Sequence, residues 1–123
     1  LKVILYFGGD VMPRLPFLRQ LPIDALIVEE SKKDFVIDIG AVREALGPEV
    51  CLFGNVDSFE FLLKASPAAL ASEVQRQICA AGSNGGFIMG TGSPLTLDTP
   101  LERIDLFTRL VRQSRPASCP EVG

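Results

Sequence analysis

Val50-Cys51-Leu52-Phe53-Gly54-Asn55-Val56-Asp57 decides the fold class of this chain: an apolar run stops at a glycine and gives way to two polar side chains. A short continuous apolar run bounded by turn residues reads as a strand covered on both faces, the pattern of a parallel sheet. Parallel strands need a crossover, and the residues that follow supply one. A short apolar helical turn is expected around Phe59 to Leu63. Ser66 then stands as an N-cap with Pro67 at the first helical position, and Leu70, Val74 and Ile78 recur every fourth residue on one face. The glycine-rich stretch from Gly82 to Gly86 ends that helix.

The same alternation extends in both directions. Upstream, Lys2 to Phe7 (KVILYF) reads as a buried strand that breaks at Gly8-Gly9-Asp10. Met12 to Leu21 then carries Leu15, Leu18 and Leu21 at helical spacing, with Pro13 and Pro16 confining regular helix to the part after them. Asp24 to Val28 (DALIV) is a second strand ending in Glu29-Glu30. Val36 to Leu46 follows as a helix with Ile39, Val42 and Leu46 on one face, closed by Gly47-Pro48. Downstream, the strand Phe87 to Met89 runs into Gly90-Thr91-Gly92-Ser93-Pro94. Thr99-Pro100-Leu101-Glu102 then opens the last helix as a capping box, with Leu101, Ile104, Phe107 and Val111 facing inward to about Gln113. Four strand-then-helix repeats of roughly 25 to 35 residues are the product of right-handed crossovers, so the class is parallel α/β. Periodicity alone leaves two architectures open, a small doubly wound domain and half of an eight-stranded barrel.

Composition limits the rest. The 123 residues, 47% hydrophobic and 22% charged with neither His nor Trp, suffice for one core. Charged residues interrupt every apolar run well short of the ~18 residues of a membrane span, so a soluble chain is expected. A net charge of −3 with singly scattered Lys and Arg argues against a nucleic-acid partner. Cys51, Cys79 and Cys119 are odd in number and widely spaced. They suggest neither a disulfide framework nor a zinc knuckle, but core packing for the first two and a reducing, cytoplasmic setting. The opening at Leu1, inside a strand pattern and without Met, implies a segment upstream. Residues 1–115 are expected to form the ordered unit and 116–123 a frayed tail.

Ligand sites of parallel sheets form where loops leave the C-terminal strand ends, which singles out Gly8, Gly9 and Asp10, Glu29 and Glu30, Asn55 and Asp57, and Thr91 to Ser93. Neighbouring carboxylates at Glu29 and Glu30 suit acid/base work, or else form a solvated pair with Lys32 or Lys33. Asn55 and Asp57 fit either a ligand or local turn and cap bonds. The loop from Gly90 to Ser93 lies about six residues ahead of its helix and lacks a Walker Lys, which disfavours a nucleotide phosphate. Ser93 has no histidine base anywhere in the chain, which sets serine hydrolysis aside.

Gly54-Asn55-Val56-Asp57 after its strand resembles the Gly-Asn-x-Asp-Pro signature of the uroporphyrinogen decarboxylase superfamily. The stretches LPIDALIVEE, SPAALASEVQRQI and GGFIMGTGSPLTLDTPLERI are similar to that family's substrate-loop strand, Ser/Thr-Pro helix, and last strand, glycine loop and Asp-Thr-Pro helix start, in order. The resemblance covers nearly all of residues 1 to 115 and implies the last four βα units of a TIM-like barrel. It also implies one of two chemistries. The first is cofactor-free decarboxylation of acetate side chains on a porphyrinogen, a carboxy-lyase step of tetrapyrrole metabolism. The alternative is zinc-dependent methyl transfer between a methylated substrate, a corrinoid protein or a thiol.

Where decarboxylases resemble Gly-His-Gly and methyltransferases carry a zinc-ligating Cys, this chain has Ser93. Where the methyltransferases place His-x-Cys, it has Tyr6-Phe7-Gly8. Tyr, Gly and Ser do not supply the imidazole and thiolate that zinc prefers. These departures from the family pattern lead us to expect a divergent member whose site uses carboxylates and amides, with catalytic roles for Ser93, Asp57 and Glu29, substrate contacts from Tyr6, Gly8, Asp10, Glu30, Asn55 and Thr91, and no protein metal ligand. A half-barrel exposes apolar sheet edges, so a homodimer is expected, and the isolated segment is expected to be inactive, leaving self-association as a further, non-catalytic reading.

Overall fold

The computed structural model describes residues 1–120. Four short strands, β1 (Ile4–Phe7), β2 (Ala25–Val28), β3 (Cys51–Phe53) and β4 (Phe87–Ile88), form one sheet in the order β1-β2-β3-β4. Every pairing is parallel, with Ile4 beside Ala25, Ala25 beside Cys51 and Leu52 beside Phe87. The strand order never reverses, so the sheet lacks the switch point that defines a doubly wound domain.

The connections are helical: α1 (Leu15–Leu18) after a 3₁₀ turn at Met12–Arg14, then α2 (Ile39–Leu46), α3 (Pro67–Gln77) and α4 (Leu101–Gln113). Pro16 sits within the first turn of α1, where a missing N–H costs nothing. The α2 helix starts later than its apolar pattern suggests because Asp38 caps it, accepting from the amides of Gly40 and Ala41. A π-helical segment, Ser58–Lys64, occupies the expected apolar turn, and α3 runs into a π-helical turn at Ile78–Gly82. Ser66 caps α3 through the amide of Ala69, as the Ser-Pro pair predicts.

The core lies on one side of the sheet. Leu26, Val28 and Leu52 point at Leu15, Leu18, Ile39, Val42 and Leu46 of α1 and α2. A second cluster joins Leu70, Val74 and Ile78 to Leu106, Phe107, Leu110 and Val111 of α4. Burying each large aliphatic side chain contributes about 1.5–3 kcal/mol. Among the described residues no helix covers the other face. Ile4, Tyr6 and Ile88 are 58%, 50% and 47% exposed, so the reading of β1 as a buried strand holds only in part for Leu5 and Phe7, which are partly buried against the core, and fails for Ile4 and Tyr6.

Three other expectations need correction. Helix α4 has no capping box: Pro100 is its N-cap, and the Thr99 hydroxyl bonds to that of Thr96 instead. Leu101 is exposed, because the inward stripe of α4 begins later, at Leu106. Cys79 is not simple core packing; it forms a disulfide with Cys119, 40 residues away, because the chain after α4 folds back across the end of α3. The segment expected to fray carries a 3₁₀ turn at Pro116–Ser118, and residues 121–123 lie outside the described residues.

Candidate functional site

The loops that leave the C-terminal ends of the four strands converge. After β1 the chain turns at Gly9, whose φ of 87° falls in the left-handed region that glycine enters without strain. Gly8 needs no such freedom; it lies against the Tyr6 ring and the Glu29 carboxylate. That carboxylate accepts hydrogen bonds from the Tyr6 hydroxyl at 3.2 Å and the Gly9 amide at 3.0 Å. Burial, with the bond to Glu29 behind it, raises the Tyr6 pKa and keeps the phenol protonated.

Glu30 points the other way and is buried, 4% exposed. The Ser93 hydroxyl reaches both of its oxygens, at 2.7 and 2.8 Å, and the Lys32 ammonium forms an ion pair with it. Lys32 also donates to the Ser93 oxygen at 3.2 Å. The bond to Glu30 raises the Lys32 pKa, so this lysine stays cationic and is not a base for Ser93. Gly92 lets these loops meet: a Cβ there would stand 2.1 Å from the Glu30 amide nitrogen. The glycine loop thus serves close backbone approach to Glu29-Glu30, an alternative to the phosphate cradle its composition suggests.

Asn55 is held from both sides. Its amide donates to the Gln77 side-chain oxygen at 3.1 Å, and its own Nδ2 donates to the Glu29 carbonyl at 2.9 Å. Gln77 is completely buried and donates in turn to Glu73 at 2.8 Å. Burial opposes ionisation of Glu73, but hydrogen bonds from Arg76 and Gln77 outweigh it and hold the carboxyl below its ordinary range. Gln77 was not singled out from the sequence, although a polar residue on the buried stripe of α3 is the signal that marks it.

An open cleft of about 500 Å³ is lined by Tyr6, Ile27, Thr91, Gly92, Ser93 and Pro94. The structure therefore brings together Tyr6, Thr91 and Ser93, with Glu29 and Glu30 bonded to two of them and Asn55 fastening the loop beneath. A smaller cavity of about 180 Å³ lies on the helix side of Glu30, beside Asn55, Asp57 and Gln77. Asp57 caps the π-helical segment, accepting from the amides of Phe59 and Glu60 at 2.8 Å each, the local role its spacing also allowed. Asp10 stays outside the cleft; it is exposed and accepts from the Met12 amide in a turn.

The carboxylates keep lone pairs for further N–H donors and the half-exposed Lys32 ammonium keeps a donor for an anion, whereas the Tyr6 and Ser93 hydroxyl protons are already committed to Glu29 and Glu30. It does not fit zinc. The donors are a phenol, an alcohol and two carboxylates already engaged, with neither imidazole nor thiolate, and no group of three potential ligands stands together among the described residues.

Comparison with known proteins agrees with this geometry. The family model described as uroporphyrinogen decarboxylase (URO-D) matches residues 1–114. The chain is 33% identical over 113 residues to a uroporphyrinogen decarboxylase of Chloroflexus aggregans, covering 92% of this chain and 30% of that protein. With a uroporphyrinogen decarboxylase of Trichodesmium erythraeum it shares 30% identity over 112 residues, covering 89% of this chain and 28% of that one. A methyltransferase from Methanosarcina mazei superposes with a TM-score of 0.73 at 22% identity, over 91% of this chain and 31% of its own, a likeness of fold. The chain thus spans about 30% of the length of the relatives it matches. A family match over almost every described residue, on a parallel sheet whose strand ends carry the matching loops, shows that this chain belongs to the uroporphyrinogen decarboxylase family.

Proposed function

We propose that these four βα units are the C-terminal part of an eight-stranded barrel and supply one wall of a tetrapyrrole site in a cofactor-free carboxy-lyase. Two hydrogen-bonded groups, Tyr6–Glu29 and Ser93–Glu30–Lys32, reach one cleft at the C-terminal strand ends through Tyr6 and Ser93, and this carries the reading. The uncovered sheet face, with Ile4, Tyr6 and Ile88, would be the barrel interior, closed by further strands of the same polypeptide or by a second copy.

A porphyrinogen presents pyrrole N–H donors, apolar ring faces and acidic side chains. Glu29 offers an acceptor pre-oriented by Tyr6 and Gly9, Ile27 and Pro94 an apolar surface, and Lys32 a cation for a side-chain carboxylate. Loss of carbon dioxide leaves a carbanion equivalent that needs a proton. The Tyr6 phenol, kept protonated, is the group of this chain placed to supply or relay it; other donors would come from the remainder of the barrel.

The test is binding and turnover by the whole barrel protein, given a porphyrinogen under anaerobic conditions, with products separated by their number of carboxyl groups. Glu29→Gln is expected to weaken binding about tenfold, the worth of one charge-assisted hydrogen bond, and Tyr6→Phe to lower turnover more than binding. Unchanged porphyrinogen affinity in Glu29→Gln would remove this site from the reaction. Binding of a methylated corrinoid in place of the porphyrinogen would move the protein to methyl transfer.

A further inference from the structure

The far end of α3 carries a second chemical feature, remote from the cleft. Cys79, in the π-helical turn after α3, is bonded to Cys119 just beyond the turn at Pro116–Ser118. Both residues are partly accessible, so a small thiol can reach the bond. Gln75 Nε2 lies 3.2 Å from the Cys79 sulfur and 3.7 Å from that of Cys119, and donates to the Arg115 carbonyl at 3.4 Å.

Little else fastens this segment. None of Pro116–Ser118 is buried, and among the described residues the Arg115 guanidinium bonds only to carbonyls beside it, those of Arg112 and Ser114. Yet the segment has something to cover: Ser114 and Pro116 line a cleft with Ile78, Phe87, Met89 and Val111, at the margin of the α3–α4 apolar cluster. A strap with few buried contacts opens locally at small free-energy cost once its covalent anchor is gone.

We propose that Cys79 and Cys119 are a reversible thiol–disulfide modification site, and that its oxidation state decides whether residues 114–120 stay docked across α3 and α4. The oxidant is a low-molecular-weight disulfide. One cysteine thiolate attacks it, forming a mixed disulfide and releasing one small thiolate. The second cysteine thiolate then attacks the protein-bound sulfur, closing the internal bond and releasing the other. Two protein thiols are oxidised, the small disulfide is reduced to two thiols, and two protons leave with the thiolates formed. Cys51, unpaired and within β3, takes no part.

The experiment equilibrates the protein with glutathione and its disulfide over a range of ratios, quenches with a maleimide, counts labels by intact mass and follows amide hydrogen exchange in the same samples. One label is expected at the oxidising limit and three at the reducing limit, because the chain has three cysteines and one of them is free. Reduction should speed exchange in residues 114–120 about tenfold or more while leaving β2 and β3 unchanged. Cys119→Ser should reproduce that fast exchange under oxidising conditions, and Cys51→Ala should keep the transition intact. Three labels at the oxidising limit, or equal exchange of the segment in both states, would overturn the proposal.

Discussion

Glu29 and Glu30 are consecutive residues with opposite surroundings, because the two-residue alternation of β2 continues past its end. One carboxylate goes to Tyr6 and the Gly9 amide, the other to Ser93 and Lys32. The sequence shows two acids after a strand; it does not show that they divide the cleft between them. Ser93 is likewise legible as a position, yet its partner Glu30 lies 63 residues away, and only the meeting of the second and fourth loops joins them. Gly92 makes that meeting sterically possible. Gly92→Ala is expected to destabilise the protein by about 1–3 kcal/mol, since the methyl group would displace the Glu30 backbone, and to weaken ligand binding as well. Urea unfolding beside ligand titration measures both, and an unchanged unfolding midpoint would show that the loop yields freely.

At the scale of elements, α3 is the piece whose pattern reads most directly. Ser66-Pro67 and the four-residue spacing of Leu70, Val74 and Ile78 predict its start and its buried face, and both are found. Its polar tie to the site is less legible, because Glu73, Arg76 and Gln77 look like ordinary helix surface until their bond to Asn55 is seen. Glu73 gives this element a pH signature. Its carboxyl in the folded protein lies below the ordinary value of 4.5, so its contribution to stability is complete above that value and is lost as pH falls through the folded one. Unfolding free energy measured from pH 6 downward should therefore decline more steeply below ~4.5 in the parent than in Glu73→Gln, which cannot titrate. Equal slopes would mean that other carboxylates control the acid limb. The end of α4 teaches the converse. Thr99 and Glu102 have capping-box spacing, but Thr96 competes for the Thr99 hydroxyl. Arg103, unremarked in the sequence, instead donates to the carbonyls of Phe61, Leu62 and Ala65 and ties α4 to the π-helical segment.

Taken as a whole, this chain is a one-sided sheet, and its stability should be one-sided too. Leu52→Ala, on the helix-covered face, is expected to cost about 3 kcal/mol, whereas Ile88→Ser on the open face should change stability by about 0.5 kcal/mol or less in this chain. A large loss at Ile88 would show that the open face is covered in solution, and repeating the pair in the whole barrel protein would tell which strands cover it. Sequence by itself determined the parallel α/β class, the four strand-helix units, the buried stripes of α2 and α3, the family and the loops that meet at the strand ends. The family is legible through the resemblance of its motifs; the rest is set by local chemistry, the period of apolar residues and the caps and breakers between them. Only tertiary structure decided that Ser93 bonds to Glu30, that Gln77 holds Asn55 and that Cys79 pairs with Cys119. Each of these joins groups far apart in the chain, and their distance is fixed by how the helices pack on the sheet, which no local pattern records.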